Sequence, residues 1–486
     1  GLVMSSATTH RAGSASLAPH DATSDPRIGP IEREAAGRAR LHIRLREWES
    51  WAPQPGGDGW EVFLDEGGRA RQTARELTRQ GRLSVVETRR GLEVEAASHV
   101  GRIQLDDVTI TVQPKLRGLP LWSLMRFAFD LRALHQYDDA AYEAEPDAFQ
   151  DVVIARLADE AAELIARGLH RTYNTREEEL TSPRGRIDFI ALAHRTTPTA
   201  ELPCRYHVRS EDCLVNQVLR AGLALGARLA TDAELSVICR RLEAQLGEEV
   251  DLISLDGATF TRLVAAQSRL TRAYRPALEL VHLLADSSGA GLEDEEVGAG
   301  WLPGFLFDMN HFFERLVSRF LHEALPGYTV TDQERIHGMM RYAQAHNPRG
   351  KRSPEPRPDF IVRRRGEVVA VLDAKYRDLW EQDLPRDMLY QLAIYALSRE
   401  ASDGAAAAPA VGTASIAAIL YPTLASGARE ARIEIRDPVR GRERAAVVLR
   451  PVDMNELSRL VGLPPTAAAI DAQRRFALQM CFGRSR

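Results

Sequence analysis

The sequence predicts an α+β protein of several domains, with a β-rich N-terminal domain, a mainly helical middle section and a C-terminal α/β domain. Three patterns predict this class. Apolar residues alternate at period two from about residue 38 to 116, recur every three or four positions from about 121 to 284, and then belong to strands interleaved with helices. A chain of 486 residues is also long enough for two or three domains, each with its own core.

The first two segments differ sharply in composition. Residues 1–35 consist mostly of small and polar residues with almost no large apolar groups, so they cannot bury enough surface to offset the entropy of ordering, and we expect a disordered tail. Residues 36–118 contain runs in which apolar and polar residues alternate, as in RLSVVETRRGLEVEAASHVGRIQLDDVTITVQPKL. These runs are broken at Arg90-Gly91 and at Asp106-Asp107. This pattern predicts a small antiparallel β domain.

The middle section, residues 119–298, has helical periodicity in stretches such as FQDVVIARLADEAAELIARGL. Its Pro-, Gly- and Arg-containing stretch LTSPRGRIDFIALAHRTTPTAELPCRYHVRSEDC predicts an extended excursion before the next helix begins near Asp212. The small and acidic residues of ADSSGAGLEDEEVGAG, 285–300, indicate a linker and a domain boundary.

The C-terminal segment, residues 299–486, alternates between helices and strands. We expect a helix at 310–325, an extended basic loop, two strands, a helix, an Ala/Pro-rich loop near 402–414, the strand IAAILYP and a closing helix. Strands interleaved with helices are typical of an α/β domain.

Composition excludes some classes of protein and leaves others open. No apolar run is long enough to span a membrane and no leader resembles a secretion signal, so we expect a cytoplasmic protein. The four cysteines are scattered without C-x-x-C spacing, which favours core thiols over a disulfide framework or a zinc site. The net charge of −5 means that a nucleic-acid partner would have to bind local basic patches.

The most informative stretch is RPDFIVRRRGEVVAVLDAKYRDLW, residues 357–380, which reads as a hairpin with its turn at Arg365-Gly366. In its second strand Asp373 and Lys375 share a face, because side chains alternate between the two faces of a strand. Folding the chain at the turn returns Asp359 to the end of that strand. We therefore expect the two carboxylates to lie close together.

Two adjacent carboxylates repel each other unless one is protonated or a cation lies between them. Mg²⁺ is usually bound by one or two carboxylates together with water and phosphate. An ammonium on the same side, from Lys375, could orient a water and offset charge developing on a phosphate. The three groups fit metal-assisted phosphodiester hydrolysis. The alternative is an ordinary surface salt bridge between Asp373 and Lys375.

Two neighbouring helices carry further candidates. In NHFFERLVSRFLHEAL, residues 310–325, Glu314 falls at the edge of the predicted buried stripe and could reach toward the sheet. In LPRDMLYQLAIYAL, Gln391 and Tyr395 share a helix face at i and i+4. The alternative for this pair is amphipathic packing without a catalytic role.

The order helical Glu, PD, D-A-K and Q-x-x-x-Y resembles the PD-(D/E)xK nuclease superfamily, and its last helix resembles the RecB-type branch. Asp359, Asp373 and Lys375 match the motif residue by residue, and Glu314 and Gln391 match its flanking positions. The resemblance implies that all five are catalytic and that residues 299–486 have a restriction-endonuclease-like fold. It further implies that Asp359, Asp373 and Glu314 bind Mg²⁺, for which Mn²⁺ can substitute.

A second resemblance covers roughly residues 40 to 450. The stretches GRIQLDDVTITVQPKL, RGRIDF, PCRYHVRSEDCLVNQVL, YRPALELVHLLA, FLFDMNHFFERLV and DMLYQLAIYAL are similar to the McrC family, the nuclease subunits of McrBC restriction systems. This resemblance implies a type IV, modification-dependent restriction system for phage defence. Its DNA substrate would be double-stranded and carry 5-methylcytosine or another modification. The partner would be a McrB-like AAA+ GTPase hexamer, bound through residues 119–298. The N-terminal tail and the Ala/Pro-rich loop depart from the family pattern.

Candidate DNA contacts lie close to the motif. They are the residues Arg349, Lys351, Arg352, Arg357 and Tyr395. The alternative for the basic residues is a solvated loop. The sequence has no G-x-x-x-x-G-K-[ST] phosphate loop and no helix-turn-helix or zinc-finger signature, so nucleotide hydrolysis and sequence recognition are expected from a partner.

Three functions remain open from sequence. The first is a Mg²⁺-dependent endonuclease subunit that cuts modified DNA when activated by an AAA+ GTPase motor, which it stimulates in turn. The second is a regulatory adaptor of that ring in which nuclease activity is secondary. The third is a free-standing DNA repair nuclease of the RecB type.

Overall fold

A computed structural model of the chain describes residues 32–33, 39–57, 59–65, 68–115, 121–129, 149–194, 199–266, 269–288, 304–337, 342, 346–347, 349–353, 355–384, 388, 416–436, 439, 441 and 443–483. The following predicted features lie outside these ranges: nearly all of the tail, Gln391, Tyr395 and the Ala/Pro-rich loop. Within the described ranges the protein is a mixed α+β structure with several sheets.

The N-terminal part is β-rich. Its elements are β1 Glu32–Arg33, β2 Ala39–Arg46, β3 Ser50–Trp51, α1 Arg69–Arg79, β4 Leu83–Thr88, β5 Gly91–Ala96, β6 His99–Leu105 and β7 Val108–Gln113. One sheet contains β1, β2, β7 and β6 in that order, and a smaller one has the order β3-β5-β4. Leu41, Ile43 and Leu45 of β2 are buried, as period-two alternation requires.

The expectation of a purely antiparallel domain is wrong at one place, because β2 and β7 pair in parallel, with Ile43 opposite Ile110. Parallel neighbours need a long crossover between them. Here α1 and the strands β3 to β6 provide it, and α1 itself was not predicted from the sequence.

One strand from beyond the middle section completes the first sheet. This strand, β11 Gly304–Asp308, pairs antiparallel with β6 at the sheet edge. Glycine is required on both sides of this pairing: a Cβ at Gly101, where φ is +140°, would lie 2.1 Å from the carbonyl oxygen of Phe305, and one at Gly304 would lie 2.2 Å from that of Arg102. The start of the segment predicted as the C-terminal domain therefore belongs to the N-terminal sheet.

The middle section contains the elements α2 Leu121–Ala128, α3 Phe149–Arg167, β8 Thr172–Leu180, β9 Arg186–Ile187, α4 Phe189–Ala193, β10 Leu202–Ser210, α5 Leu214–Leu229, α6 Ala233–Leu246, α7 Gly257–Ala266 and α8 Arg275–Ser288. The predicted excursion is a three-stranded antiparallel sheet of order β8-β10-β9. The predicted linker starts too early, because α8 continues to Ser288 and buries Ala285, Ser287 and Ser288.

The C-terminal part contains α9 Met309–Ala324, β12 Thr329–Asp332, β13 Phe360–Arg364, β14 Glu367–Ala374, β15 Ile416–Thr423, β16 Ala431–Arg436, β17 Glu443–Asp453, α10 Met454–Val461 and α11 Ala467–Phe482. Its sheet has the order β12-β13-β14-β15-β17-β16, and β14, β15 and β17 run parallel at its centre. The strands β12, β16 and β17 were not predicted from the sequence. None of the helices in the described ranges combines the length and apolar character that a membrane crossing requires.

One large hydrophobic core contains residues from all three parts, while most buried residues of the N-terminal sheets form a separate cluster. The large core contains Val100 of β6, Leu124 of α2, Phe313 of α9, Leu372 of β14 and Met480 of α11, all less than 3% exposed. A further cluster fills the opposite face of the C-terminal sheet, with Ile419 and Tyr421 of β15 at its centre. The N-terminal, middle and C-terminal parts are therefore packed against each other and not separated by solvent.

A buried polar contact also connects the first and last parts. Glu47, in the turn after β2, is 2% exposed, and its Oε2 accepts hydrogen bonds from the Tyr376 hydroxyl at 3.1 Å and the Lys115 backbone N–H at 2.7 Å. Burial raises the pKa of Glu47 to about 8, although these two donors oppose the shift. Beside it, the guanidinium of Arg377 lies over the Trp48 ring at 5.5 Å.

We expect Glu47→Gln to stabilise the protein in a pH-dependent way. The unfolded carboxyl ionises near its ordinary pKa of about 4.3, whereas the folded one keeps its proton until about pH 8, so the wild type loses stability as pH rises between these values. The free energy of unfolding of the variant should exceed that of the wild type by almost nothing at pH 4 and by about a few kcal/mol at pH 8, and the difference should then level off. Chemical denaturation at pH 5 to 9 measures it.

Glu95→Gln on β5 is the control, because the Glu95 side chain is exposed to solvent. A stability difference for Glu47→Gln that stays constant across this pH range would contradict the assignment of a neutral buried carboxyl.

Candidate active site

The hairpin β13–β14 brings the two motif aspartates together. Its turn residues Arg365 and Gly366 both have positive φ, 53° and 89°, the conformation that a two-residue hairpin loop requires. Phe360 pairs with Leu372, so Asp359, immediately before β13, lies beside Asp373 at the end of β14. The structure thus contains the predicted proximity of the two carboxylates.

Asp373 is a buried carboxylate with few compensating contacts. Its side chain is 2% exposed, and neither carboxylate oxygen has a hydrogen-bond partner among the described residues. The Lys375 ammonium approaches Oδ2 at 2.8 Å, which is an ion pair without the angles of a hydrogen bond. A buried carboxylate with unsatisfied oxygens is costly unless a further cation or donor reaches it.

Asp359 is buried as well but is well supplied with donors. Its Oδ2 accepts from the backbone N–H of Ala374 at 2.7 Å, and its Oδ1 accepts from Nε2 of Gln333 at 2.8 Å. Burial, and then the negative charge of Asp373, raise the pKa of Asp359 to about 7, while the Lys375 ammonium opposes this shift. The pair therefore shows the repulsion that the sequence predicts for adjacent carboxylates.

Glu314 reaches this cluster from α9. The buried stripe of the helix contains Phe313, Leu316 and Val317, and Glu314 lies half-buried at its edge. Its Oε1 accepts a hydrogen bond of 2.6 Å from the same Gln333 Nε2 that contacts Asp359. One carboxamide therefore connects the two carboxylates.

Gln333 is the site residue that the sequence analysis missed. It follows β12 directly and has a φ of +53°, a left-handed conformation that costs a residue other than glycine roughly 1 kcal/mol or more. Its backbone N–H donates to the carbonyl oxygen of Asp359 at 2.9 Å, and its carbonyl oxygen accepts from Nε of Arg357 at 2.6 Å. No motif marks a glutamine after an unpredicted strand, so only the fold reveals it.

The carboxylate oxygens of the cluster are ligands that suit a hard cation, although donor groups of the protein already contact some of them. No three His, Cys, Asp or Glu side chains within the described ranges converge as a ready-made metal-binding group. The Gln333 carboxamide lies between Glu314 and Asp359, and the Lys375 ammonium lies against Asp373. The unsatisfied oxygens of Asp373 beside the carboxyl of Asp359 nevertheless fit an oxygen-seeking divalent ion.

The predicted DNA contacts lie on the loop before β13. Arg349, Lys351, Arg352 and Arg357 are all exposed. Arg357 also supports the turn at Gln333 through the hydrogen bond to its backbone. The remaining predicted residues, Gln391 and Tyr395, lie outside the described ranges. The DNA-binding role of these residues stays a prediction.

Together the fold and this cluster define a multi-sheet α+β protein with a buried acidic site at the end of a β hairpin. The chain belongs to the McrBC 5-methylcytosine restriction system component family, whose model matches residues 94–406, more than half of the chain. The family membership expected from the sequence motifs is thereby confirmed.

Two solved structures are similar to this chain. One is a chain of the refined half-complex from a tetradecameric assembly of Thermococcus gammatolerans McrB AAA+ hexamers with bound McrC. It is 20% identical, has a TM-score of 0.54, and the match covers 90% of this chain and 99% of that one. A chain of the cryo-EM structure of the Thermococcus gammatolerans McrBC complex is also 20% identical, with a TM-score of 0.41 and coverage of 59% and 89%. No curated protein gives a significant match.

We expect substitutions at the two aspartates to change stability in opposite directions when no metal is added. Asp373→Asn removes a buried charge that repels Asp359 and that is compensated, among the described residues, only by the partly exposed Lys375 ammonium, so it should raise the free energy of unfolding by roughly 1 kcal/mol. Asp359→Ala leaves the Ala374 N–H without its acceptor in a buried place and should lower it by about 1–3 kcal/mol. Denaturant titration in the presence of a chelator measures both. A change of the same sign in both variants would contradict this account of the site.

Proposed function

We propose that this chain is the Mg²⁺-dependent DNA endonuclease subunit of a McrBC-like restriction system. It would cleave modified double-stranded DNA only when activated by an AAA+ GTPase motor, whose turnover it would stimulate. The single observation that carries the proposal is the convergence of Asp359, Asp373 and Lys375 at the end of one hairpin, with Glu314 joined to them. Family membership supports the biological setting.

The C-terminal part has features that support a PD-(D/E)xK fold. A mixed sheet carries the hairpin β13–β14, and β14 and β15 run parallel beside it. Helix α9 packs against this sheet through Phe313 and Leu316, so Glu314 approaches the same sheet end as the motif aspartates.

Each residue would have a distinct part in hydrolysis. Asp359, Asp373 and Glu314 would hold the Mg²⁺ ion, which Mn²⁺ can replace. When bound, the ion would polarise the scissile phosphate and lower the pKa of a coordinated water. The Lys375 ammonium, which is partly exposed and 2.8 Å from Asp373 Oδ2, is placed to orient the attacking water and to offset charge on the phosphate. Gln391 is proposed to assist in catalysis.

DNA would approach along the loop that precedes β13. The exposed cations Arg349, Lys351 and Arg352 are proposed to contact backbone phosphates, as is Arg357 at the start of the hairpin. Tyr395 is proposed to contribute a further contact. Such contacts position a duplex without reading its sequence, which leaves recognition of the modified base to the partner.

The proposed partner is an AAA+ ring, since the similar solved structure contains McrB AAA+ hexamers with bound McrC. The sheet β8-β10-β9 with α4 offers a contact surface. Tyr173, Phe189 and Ile190 are 72%, 69% and 73% exposed there, which is unusual for large apolar side chains on neighbouring elements. We propose that Phe189 and Ile190 of α4 bind the ring.

Cleavage by the purified chain together with a McrB-like AAA+ GTPase tests the function. We expect Mg²⁺- and GTP-dependent cleavage of methylated but not unmodified DNA. Asp373→Ala should lose both cleavage and Mg²⁺ affinity. Lys375→Ala should lose cleavage by a factor of about 10² or more yet bind Mg²⁺ at least as well as the wild type, because its ammonium competes for Asp373. Calorimetric titration with Mg²⁺ separates the two roles.

The control is Arg79→Ala, which removes one side of an exposed ion pair with Glu76 within α1 and changes no residue of the hairpin. Cleavage by the chain alone would favour a free-standing repair nuclease. Full biological protection by Lys375→Ala would favour the regulatory adaptor. Loss of Mg²⁺ affinity in Lys375→Ala equal to that of Asp373→Ala would give the lysine a structural role.

The ring contact is tested on the full chain, because a fragment that ends before β11 would lose a strand of the first sheet. We expect Phe189→Ser combined with Ile190→Ser to weaken ring binding by about tenfold or more and to abolish stimulation of GTP hydrolysis. Thermal stability should not change, since both side chains are exposed. Val237→Ser on α6, 62% exposed, is the matched control. If the double variant stimulated GTP hydrolysis as well as the wild type does, the ring would have to bind a different surface of the chain.

A further inference from the structure

The carboxamide of Gln333 lies between Glu314 and Asp359 and joins the two carboxylates through one nitrogen. Its Nε2 donates to Glu314 Oε1 at 2.6 Å and to Asp359 Oδ1 at 2.8 Å. Two carboxylates that share one donor in this way require a group with positive character between them. In the absence of a cation, the amide nitrogen is the end of the side chain that satisfies both.

The spacing of these atoms is also close to that of ligands around Mg²⁺. Neighbouring oxygens in an octahedral Mg²⁺ shell with bonds of 2.0–2.1 Å lie about 2.9 Å apart, since adjacent bonds meet at a right angle. Rotation of the Gln333 amide by half a turn would place its carbonyl oxygen where Nε2 now lies, 2.6 and 2.8 Å from the two carboxylate oxygens. Small outward movements of these oxygens would reach the octahedral spacing.

The backbone holds Gln333 in this place in spite of its strained conformation. Its φ is +53°, and hydrogen bonds from its N–H to Asp359 and from Arg357 to its carbonyl oxygen fix the turn on both sides. Strained backbone maintained by its surroundings is common at ligand sites. Gln333 is half-buried, so water can take up its NH2 group once the amide has turned.

We propose that Gln333 is a metal ligand of the site. Its amide NH2 bridges Glu314 and Asp359 in the metal-free protein, and its carbonyl oxygen binds the divalent cation when the amide turns over. This proposal rests on the proposed function only in taking the cluster as a divalent-metal site. It adds an amide oxygen, a ligand suited to hard cations, to three carboxylates.

Mg²⁺ binding by the full chain without DNA tests the proposal. Gln333→Met keeps the length of the side chain but has no ligand oxygen, and it should weaken Mg²⁺ binding by roughly tenfold or more in calorimetric titration. Gln333→Glu supplies an oxygen at the same reach but no NH2. It should bind Mg²⁺ at least as tightly as the wild type, melt at a lower temperature in chelator, and show a larger rise in melting temperature when Mg²⁺ is added.

Two further variants complete the design. Gln333→Gly adopts the left-handed backbone without strain, so it shows the loss of the ligand even if Gln333→Met does not fold. Gln473→Met is the matched control, because Gln473 Nε2 donates to the carbonyl oxygen of Leu460 between α11 and α10, outside the cluster.

The outcomes separate this proposal from the proposed function. Wild-type Mg²⁺ affinity in Gln333→Met and Gln333→Gly would overturn the ligand role while leaving the metal site intact. A loss in Gln333→Glu equal to that in Gln333→Met would show that only the NH2 bridge matters, and would also overturn it. Absence of Mg²⁺ binding by the wild type would overturn the metal-dependent nuclease itself.

Discussion

The pairing of β11 with β6 is the constraint on which the arrangement of the site depends. Asp308, the last residue of β11, accepts hydrogen bonds from the N–H groups of Asn310 and His311 and so caps α9 with no intervening loop. The N–H of Met309 donates to the carbonyl oxygen of Ser98 just before β6. The first sheet therefore sets where α9 begins, and Glu314 lies in the second turn of that helix.

A second constraint is electrostatic. Glu314, Asp359 and Asp373 approach from a helix and from the two strands of a hairpin, and their mutual repulsion is relieved only in part by the donors nearby. Gln333 and the Ala374 N–H hold Asp359, whereas within the described part of the chain Asp373 has only the Lys375 ion pair. The protein's own donors therefore compensate the charge of this cluster only in part. A divalent ion would remove the repulsion at all three carboxylates together.

How much the sequence predicts depends on whether the relevant interaction is local. The hairpin could be predicted because alternation and the Arg365-Gly366 turn are encoded within a few residues, and Glu314 could be placed because helical periodicity puts it beside a buried stripe. The edge strand β16 was missed because it is short and most of its side chains are exposed, so its two isoleucines give only a weak alternation. The parallel pairing of β2 with β7 joins residues more than 60 positions apart, and no local pattern indicates it.

The same distinction between local and long-range interactions applies to the residues of the site. Asp359, Asp373 and Lys375 belong to one continuous motif, whereas Gln333 reaches the cluster only because β12 pairs with β13 and the chain then turns with a positive φ. Glu47 is a similar case, since nothing in the local sequence indicates that this glutamate is buried against Tyr376. Residues whose role comes from long-range packing are therefore the ones that a sequence motif omits.

These contacts explain why the large N-terminal part cannot be an independent addition to the C-terminal part. It fixes the start of the helix that carries Glu314, and its turn at Glu47 and Trp48 packs on Tyr376 and Arg377, directly after Lys375. The site is thus held from two sides by elements of the first sheet and the turn after β2. A partner that shifted these elements would act on the positions of Glu314 and Lys375 through packed contacts, because a close-packed interior transmits small displacements. An AAA+ ring could then control cleavage without any of its residues entering the site.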